Sequence, residues 1–164
     1  MIVPVENILM MAIQIEKSGI EFYRDLQQKF SPHSEVYKIL GLLWKDEMKH
    51  KQSFEKLLAT LKVEKMKTFY PKEVSRVTSF IEKKLFGDIE KAREYLEKYT
   101  EKQDMAEVFL YAIGIEMDTV YLYEKISAKI IPAEKDFMNA IIYEERSHVN
   151  KLKDLRAKIK SGEY

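Results

Sequence analysis

The chain has 164 residues, 46% of them hydrophobic and 34% charged, which suits one domain with a sizeable core. It contains no cysteine, which excludes disulfides, iron–sulfur clusters, thiolate-held zinc and a cysteine nucleophile. Lys and Arg (28) balance Asp and Glu (27), so no basic excess points to nucleic acid, and the uncharged runs fall short of the ~20 apolar residues of a membrane span. The opening stretch MIVPVENILMMAIQIEK has no basic n-region and meets Glu6 early, so no signal peptide is expected and the chain reads as a soluble, cytoplasmic protein.

Apolar residues recur at three- and four-residue steps, the spacing of helices, and predict an all-α protein. A first helix runs from about Val5, after Pro4, to Phe30. Ser31 as N-cap and Pro32 in the first turn open a second, which continues to about Lys62. Residues 63–103 form a connector with Pro71, a short helix over Val74–Leu85, a break at Gly87-Asp88, and a charged helical stretch from Ile89 to Glu101. The third long helix begins at Asp104, with Glu107 as its capping-box partner, and ends near Ile130. Pro132 opens the fourth, which fades at Ser161-Gly162. Short links make each pair of long helices an antiparallel hairpin. The long connector lets the third helix start at the far end, giving an antiparallel four-helix bundle with one long crossover, as a single domain over residues 1–164.

The chain repeats itself. AIQIEKSGIEFY from Ala12 and AIGIEMDTVYLY from Ala112 align at a shift of 100, so that Glu16 falls on Glu116 and Tyr23 on Tyr123. At a shift of 98, Leu40, Leu43, Glu47, His50, Phe54 and Leu57 fall on Met138, Ile141, Glu145, His148, Leu152 and Leu155. Two similar hairpins packed about a pseudo-twofold axis would bring equivalent residues together at the centre of the bundle.

The chemistry lies on the buried seam. In the second helix Val36, Leu40, Leu43, Glu47, His50, Phe54, Leu57 and Leu61 alternate in steps of four and three, and Glu47 and His50 sit where apolar residues are expected. Glu145 and His148 do the same in the fourth helix, and Glu16 and Glu116 interrupt the apolar stripes of the first and third. Burying one carboxylate costs several kcal/mol, and four converging ones add mutual repulsion. No Lys or Arg lies on the seam beside them. Two divalent ions would neutralise four glutamates, with neutral histidines completing the shell, and the Glu-x-x-His spacing places both donors on one helix face. Oxygen-rich ligation with one imidazole per ion suits iron or manganese better than structural zinc. With the metals removed, all four carboxylates are expected to titrate above their ordinary range.

A Glu from each of two helices, plus a Glu-x-x-His from each of the other two, resembles the ferritin-like di-iron carboxylate pattern. Within that group AIQIEKSGIEFY, LLWKDEMKH, AIGIEMDTVYLY and AIIYEERSH look like the rubrerythrin branch. The resemblance implies a ferritin-like bundle holding two iron ions, with manganese as a substitute. Glu47 and Glu145 would bridge, Glu16 and Glu116 would be terminal, and His50 and His148 would take one ion each. It also implies an oxidoreductase of oxidative-stress type that reacts with O₂ or peroxide and takes electrons from an external donor such as rubredoxin. No nucleic-acid or membrane partner is implied, and a homodimer is open to it. Two departures stand out. Without cysteine there is no rubredoxin-like centre, and Thr119 stands where rubrerythrins carry an extra glutamate linked to peroxide reduction, with Gly19 as its repeat partner.

Other readings stay open at this level. Ferritin-type Fe(II) oxidation would require a hollow multi-subunit shell, and a non-enzymatic helical interaction module would hold no metal. Tyr23 and Tyr123, two turns beyond the glutamates of their helices, are either hydrogen-bond donors to the ligands or plain core aromatics. Trp44 reads as packing, His33 as a surface residue, and Met10, Met11, Met48, Met117 and Met138 as core fillers.

Overall fold

Four long helices make the frame: α1 Val5–Gln27, α2 Glu35–Leu61, α5 Met105–Ser127 and α6 Pro132–Ser161. The structure, a computed structural model, describes residues 5–61, 71–129 and 132–164. Between α2 and α5 lie α3 (Pro71–Phe80) and α4 (Phe86–Lys98), joined by a π-helical turn over Ile81–Leu85. The ends predicted at Lys62 and Ile130 lie outside the described residues.

Cross-helix contacts give the directions. Trp44 Nε1 donates to Gln27 Oε1 (3.0 Å) and Arg146 pairs with Glu124, so each hairpin is antiparallel. Tyr23 bonds Glu116 while Tyr123 bonds Glu16, so α1 and α5 also run oppositely. Then α2 and α5 are parallel, and the chain must travel the length of the bundle between them. At ~1.5 Å per residue the helical run from Pro71 to Lys98 covers about 40 Å, which is sufficient.

The crossover departs from the sequence reading. No break falls at Gly87-Asp88, because Gly87 lies inside α4 and backbone helical geometry is continuous from Phe80 through Phe86. A helical glycine costs only about 1 kcal/mol. Burial of Ile81, Leu85, Ile89, Ala92 and Leu96 offsets that. Lys84 bonds Asp118 of α5 (3.0 Å) and Arg93 bonds Glu21 of α1 (2.9 Å), so part of this segment's charge anchors it rather than facing solvent alone.

Two caps also differ. The second helix starts at Glu35, not at Pro32, because the Ser34 hydroxyl accepts the Tyr37 N–H (3.1 Å) and so caps the helix three residues later than Ser31 would. The capping box at Asp104 does not form: Asp104 closes a short 3₁₀ turn with helical backbone angles, and its side chain makes no cap bond. At the far end the expectation at Gly162 holds. Gly162 takes φ +78°, and the Glu163 N–H bonds Lys158 O (2.9 Å) in a closing left-handed turn.

The core fills both ends of the bundle and leaves its middle to polar groups. Leu26, Phe30, Leu40, Phe109 and Leu152 pack toward one end, and Leu9, Phe54 and Tyr123 lie toward the other. Met138 is buried as expected, whereas Met10 and Met117 are exposed, because both lie on the outward lines of α1 and α5. Among the described residues no helix is long and apolar enough to cross a membrane.

Candidate metal centre

The six seam residues meet at mid-bundle, each almost wholly buried: Glu16, Glu47, His50, Glu116, Glu145 and His148. Two overlapping sets form, each with ligand atoms within 4.8 Å of one another: Glu16, Glu47, His50 and Glu145, then Glu47, Glu116, Glu145 and His148. Glu47 and Glu145 belong to both sets. His50 Nδ1 lies 2.9 Å from Glu145 and 3.6 Å from Glu16, while His148 Nδ1 lies 3.0 Å from Glu47 and 3.1 Å from Glu145.

These distances are short, yet the directions are wrong for hydrogen bonds. Glu16 Oε2, Glu47 Oε1, both Glu145 oxygens and the Nδ1 atoms of both histidines are buried without a hydrogen-bond partner. Such orphaned groups are costly in a core. Lone pairs that converge on shared points rather than on each other fit cations placed between them, and the mixture of carboxylate oxygen and imidazole suits iron or manganese.

The outer atoms are anchored across the bundle. Tyr23 on α1 donates to Glu116 on α5, and Tyr123 on α5 donates to Glu16 on α1. The tyrosines therefore touch the carboxylates of the opposite hairpin, resolving the choice left open between donors and plain packing. Behind the histidines, Glu144 Oε2 lies 2.7 Å from His50 Nε2 and Asp46 Oδ2 lies 3.5 Å from His148 Nε2. Sequence reasoning missed this second pair. The available signal was that Asp46 and Glu144 are themselves equivalent at the shift of 98, each just before a seam glutamate. A carboxylate on the outer ring nitrogen fixes the tautomer that leaves Nδ1 free to bind a cation.

Among themselves the six groups divide charge unevenly. Burial first, then the fields of Glu47 and Glu145, push the Glu16 and Glu116 carboxyls well above the usual range. For Glu47 burial opposes ionisation, but the close approach of the Glu16 carboxyl and both imidazoles outweighs it and holds the carboxyl below the usual range. Glu145 is also lowered: burial and Glu47 oppose, and both histidines prevail. Burial would discharge the imidazoles, yet the surrounding carboxylates, Glu145 foremost for His50 and Asp46 foremost for His148, raise both. The expectation of four raised carboxylates is thus corrected for two of them, because the protonated histidines act as buried counter-ions. Tyr23 and Tyr123 are pushed up by burial and by the carboxylates they face.

Thr119 is buried, and its hydroxyl donates to the Ile115 carbonyl one turn back (2.9 Å), so it turns to its own helix. Together with Gly19, Tyr23, Glu47 and Glu116 it lines a cavity of about 20 Å³, room for one or two waters. His33 is exposed, and Trp44 packs under the Arg24 guanidinium (4.6 Å) outside the cluster.

An all-α bundle with one crossover, closing two hairpins around a Glu/His cluster, is of the ferritin-like di-iron class. The chain belongs to the rubrerythrin family, whose model matches residues 7–155. Its fold is similar to that of a putative ferritin-like diiron-carboxylate protein from Thermotoga maritima, with a TM-score of 0.66, 20% identity, and coverage of 96% of this chain and 97% of that one. Among curated proteins nothing matches at a significant level. Family and cluster together support a di-iron protein.

Proposed function

We propose that the chain is a non-haem di-iron oxidoreductase that reacts with O₂ or a peroxide and draws its electrons from a separate carrier protein. The observation that carries the reading is the set of convergent, unpartnered donors at mid-bundle, shared out as two overlapping ligand sets. In this reading Glu47 and Glu145, common to both sets, would serve both ions, Glu16 with His50 would hold one, and Glu116 with His148 would hold the other. Bound iron would supply the redox change.

The protein's own groups do the rest. Glu144 and Asp46 hold the imidazole N–H groups and so orient Nδ1. The Tyr23 and Tyr123 hydroxyls hold the terminal carboxylates, each across the hairpin boundary. Burial, then the facing carboxylates, keep both phenols protonated and so able to donate. The apolar walls of Ile15, Phe22, Ala112 and Ile115 around the small cavity keep bulk water from the cluster.

Thr119 sets the expected turnover. Its hydroxyl is neutral and bonded to Ile115, so it cannot shift toward the centre as a glutamate could. Reduced protein should be oxidised once by O₂ or peroxide, then stall until an external reductant such as reduced rubredoxin is supplied. Thr119→Glu should raise the rubredoxin-supported peroxide rate. The experiment is metal analysis and stopped-flow oxidation of wild type and Thr119→Glu. Protein without bound iron, or with iron that neither oxidant touches, would remove the proposal. Rapid wild-type turnover, unchanged by the substitution, would show that Thr119 is no handicap.

A further inference from the structure

The two sides of the metal cluster offer different approaches. On the α2/α6 side Glu144 and Asp46 stand behind the histidines, so a neutral molecule meets carboxylates there. On the α1/α5 side lies the cavity of about 20 Å³, whose lining includes Glu47 and Glu116 of the ligand sets. Gly19 leaves Glu47 bare to it, since a Cβ built there would sit 3.5 Å from Glu47 Cγ and 3.7 Å from its Oε2. Most of the wall comes from the hairpin helices, but among the described residues it is completed by Ile89 of the crossover helix α4.

Ile89 is only 7% exposed and firmly held. Five residues before it Lys84 pairs with Asp118 of α5 (3.0 Å), and four residues after it Arg93 pairs with Glu21 of α1 (2.9 Å). The clamps therefore tie α4 to both helices that flank the cavity. The π-helical turn over Ile81–Leu85 decides which residue stands there. It takes up about one extra residue, so a regular helix continued from Phe80 would bring Asp88 to that place instead. An apolar side chain on a clamped helix is a wall that sorts by size, because close-packed surroundings yield little.

We propose that Ile89 is a specificity-determining residue that restricts the oxidant to two linked oxygen atoms, O₂ or hydrogen peroxide, and shuts out alkyl hydroperoxides. This rests on the oxidoreductase reading above. Space for one or two waters accepts hydrogen peroxide. A tert-butyl group would have to displace Ile89 or its neighbours, with the cost of overpacking a closed site. Polarity does not explain the exclusion, since apolar walls would favour the alkyl peroxide. Reduction takes two electrons and two protons per peroxide O–O bond. Hydrogen peroxide gives two waters, and an alkyl hydroperoxide gives an alcohol and a water.

The test mixes reduced, iron-loaded protein, which supplies both electrons, with hydrogen peroxide or tert-butyl hydroperoxide and follows oxidation optically. Ile89→Ala should raise the tert-butyl hydroperoxide rate at least about tenfold and the hydrogen peroxide rate by less than about threefold. Leu96→Ala removes a buried side chain of the same helix outside the cavity and should leave the ratio of the two rates unchanged. Ile89→Val, a milder truncation, should move the ratio in the same direction and serves if Ile89→Ala fails to fold. A second measurement needs no reaction. Under xenon pressure the metal-loaded Ile89→Ala protein should hold a xenon atom beside Glu47 and wild type none, because the truncation leaves an apolar void. A ratio unmoved by either Ile89 variant would overturn the proposal. So would a Leu96→Ala ratio shifted as far as that of Ile89→Ala, which would mark general loosening of α4, or equal xenon occupancy in wild type. Iron that neither oxidant touches would instead remove the underlying reading of function, and the xenon comparison would still decide whether Ile89 closes the cavity.

Discussion

His50 and His148 occupy equivalent positions in the repeat, yet the carboxylates behind them differ by one methylene. Glu144 reaches His50 Nε2 at 2.7 Å, whereas the shorter Asp46 stops 3.5 Å from His148 Nε2 and is shared with Lys49 Nζ at 2.8 Å. Toward the centre the halves are alike: one glutamate from α1 or α5, one histidine, and the same two shared glutamates. The inner set has little freedom, because any unmatched charge there stays desolvated. The outer carboxylates are partly in water, so drift at these positions costs little and the halves have diverged. A bond at 3.5 Å is at the limit of usefulness, so the His148 side is the less firmly held of the two.

The largest expected effect lies in what the halves share. Glu47→Ala and Glu145→Ala should each take the protein from an expected two metals per chain to less than about half of one, because both ligand sets contain both residues. Elemental analysis checks this, and a variant that keeps both ions would break the equivalence of the two glutamates.

Next comes the proton exchange that loading requires. Because burial and the neighbouring carboxylates raise Glu16 and Glu116, and the surrounding carboxylates raise both imidazoles, metal loading should release protons to solvent. Stability follows the same groups. Glu16 and Glu116, raised in the fold, hold the metal-free protein most firmly below the unfolded value of about 4.3 and lose that contribution as pH climbs through their raised values. The raised histidines contribute fully below about 6.5 and lose it as pH climbs through their folded values. The lowered Glu47 and Glu145 lose theirs only as acid protonates them. The gap in Tm between metal-loaded and metal-free protein should therefore widen from mildly acidic to alkaline pH. A pH-stat titration that releases no protons, or a constant gap, would contradict the charge division.

The comparison itself is sharpened by Glu144→Gln against Asp46→Asn. The first should weaken binding of the His50-side ion by about 10- to 100-fold, and the second should weaken its counterpart only a few-fold. Competition with a chelator measures both, and the reverse order would show that burial of Asp46 outweighs its longer bond. The smallest effect is at Gly19, the repeat partner of Thr119. A Cβ there would sit 3.5 Å from Glu47 Cγ, an ordinary contact. Gly19→Ala should thus raise stability by about 0.5–1 kcal/mol through helix propensity alone. Destabilisation in a thermal melt would mean that the space above Glu47 is under pressure.

Much of the centre was legible because its signal is local. Glu47 and His50, like Glu145 and His148, stand on seams whose steps of three and four fix which way they face, and the repeat identified Glu16 and Glu116 as their companions. Asp46 and Glu144 were not legible, since an acid at a partly exposed helix position looks like any solvated charge until the facing histidine is in place. The start of α2 was misread for a similar reason: Ser31 and Ser34 are both competent caps, and only the path of the turn selects Ser34. At Gly87 the local breaker lost to burial of the residues around it.

By itself the sequence determined the helices, the two-hairpin repeat and the inward placement of four glutamates and two histidines, because each depends on a 3.6-residue period along a single helix. Only the tertiary structure decided that Tyr23 serves Glu116 and Tyr123 serves Glu16, and that each histidine is backed from the opposite hairpin. It also decided that the histidines, and not metals alone, can carry the charge that balances Glu47 and Glu145. These outcomes depend on the axial register of helices about a hundred residues apart, which core packing sets and no local period encodes.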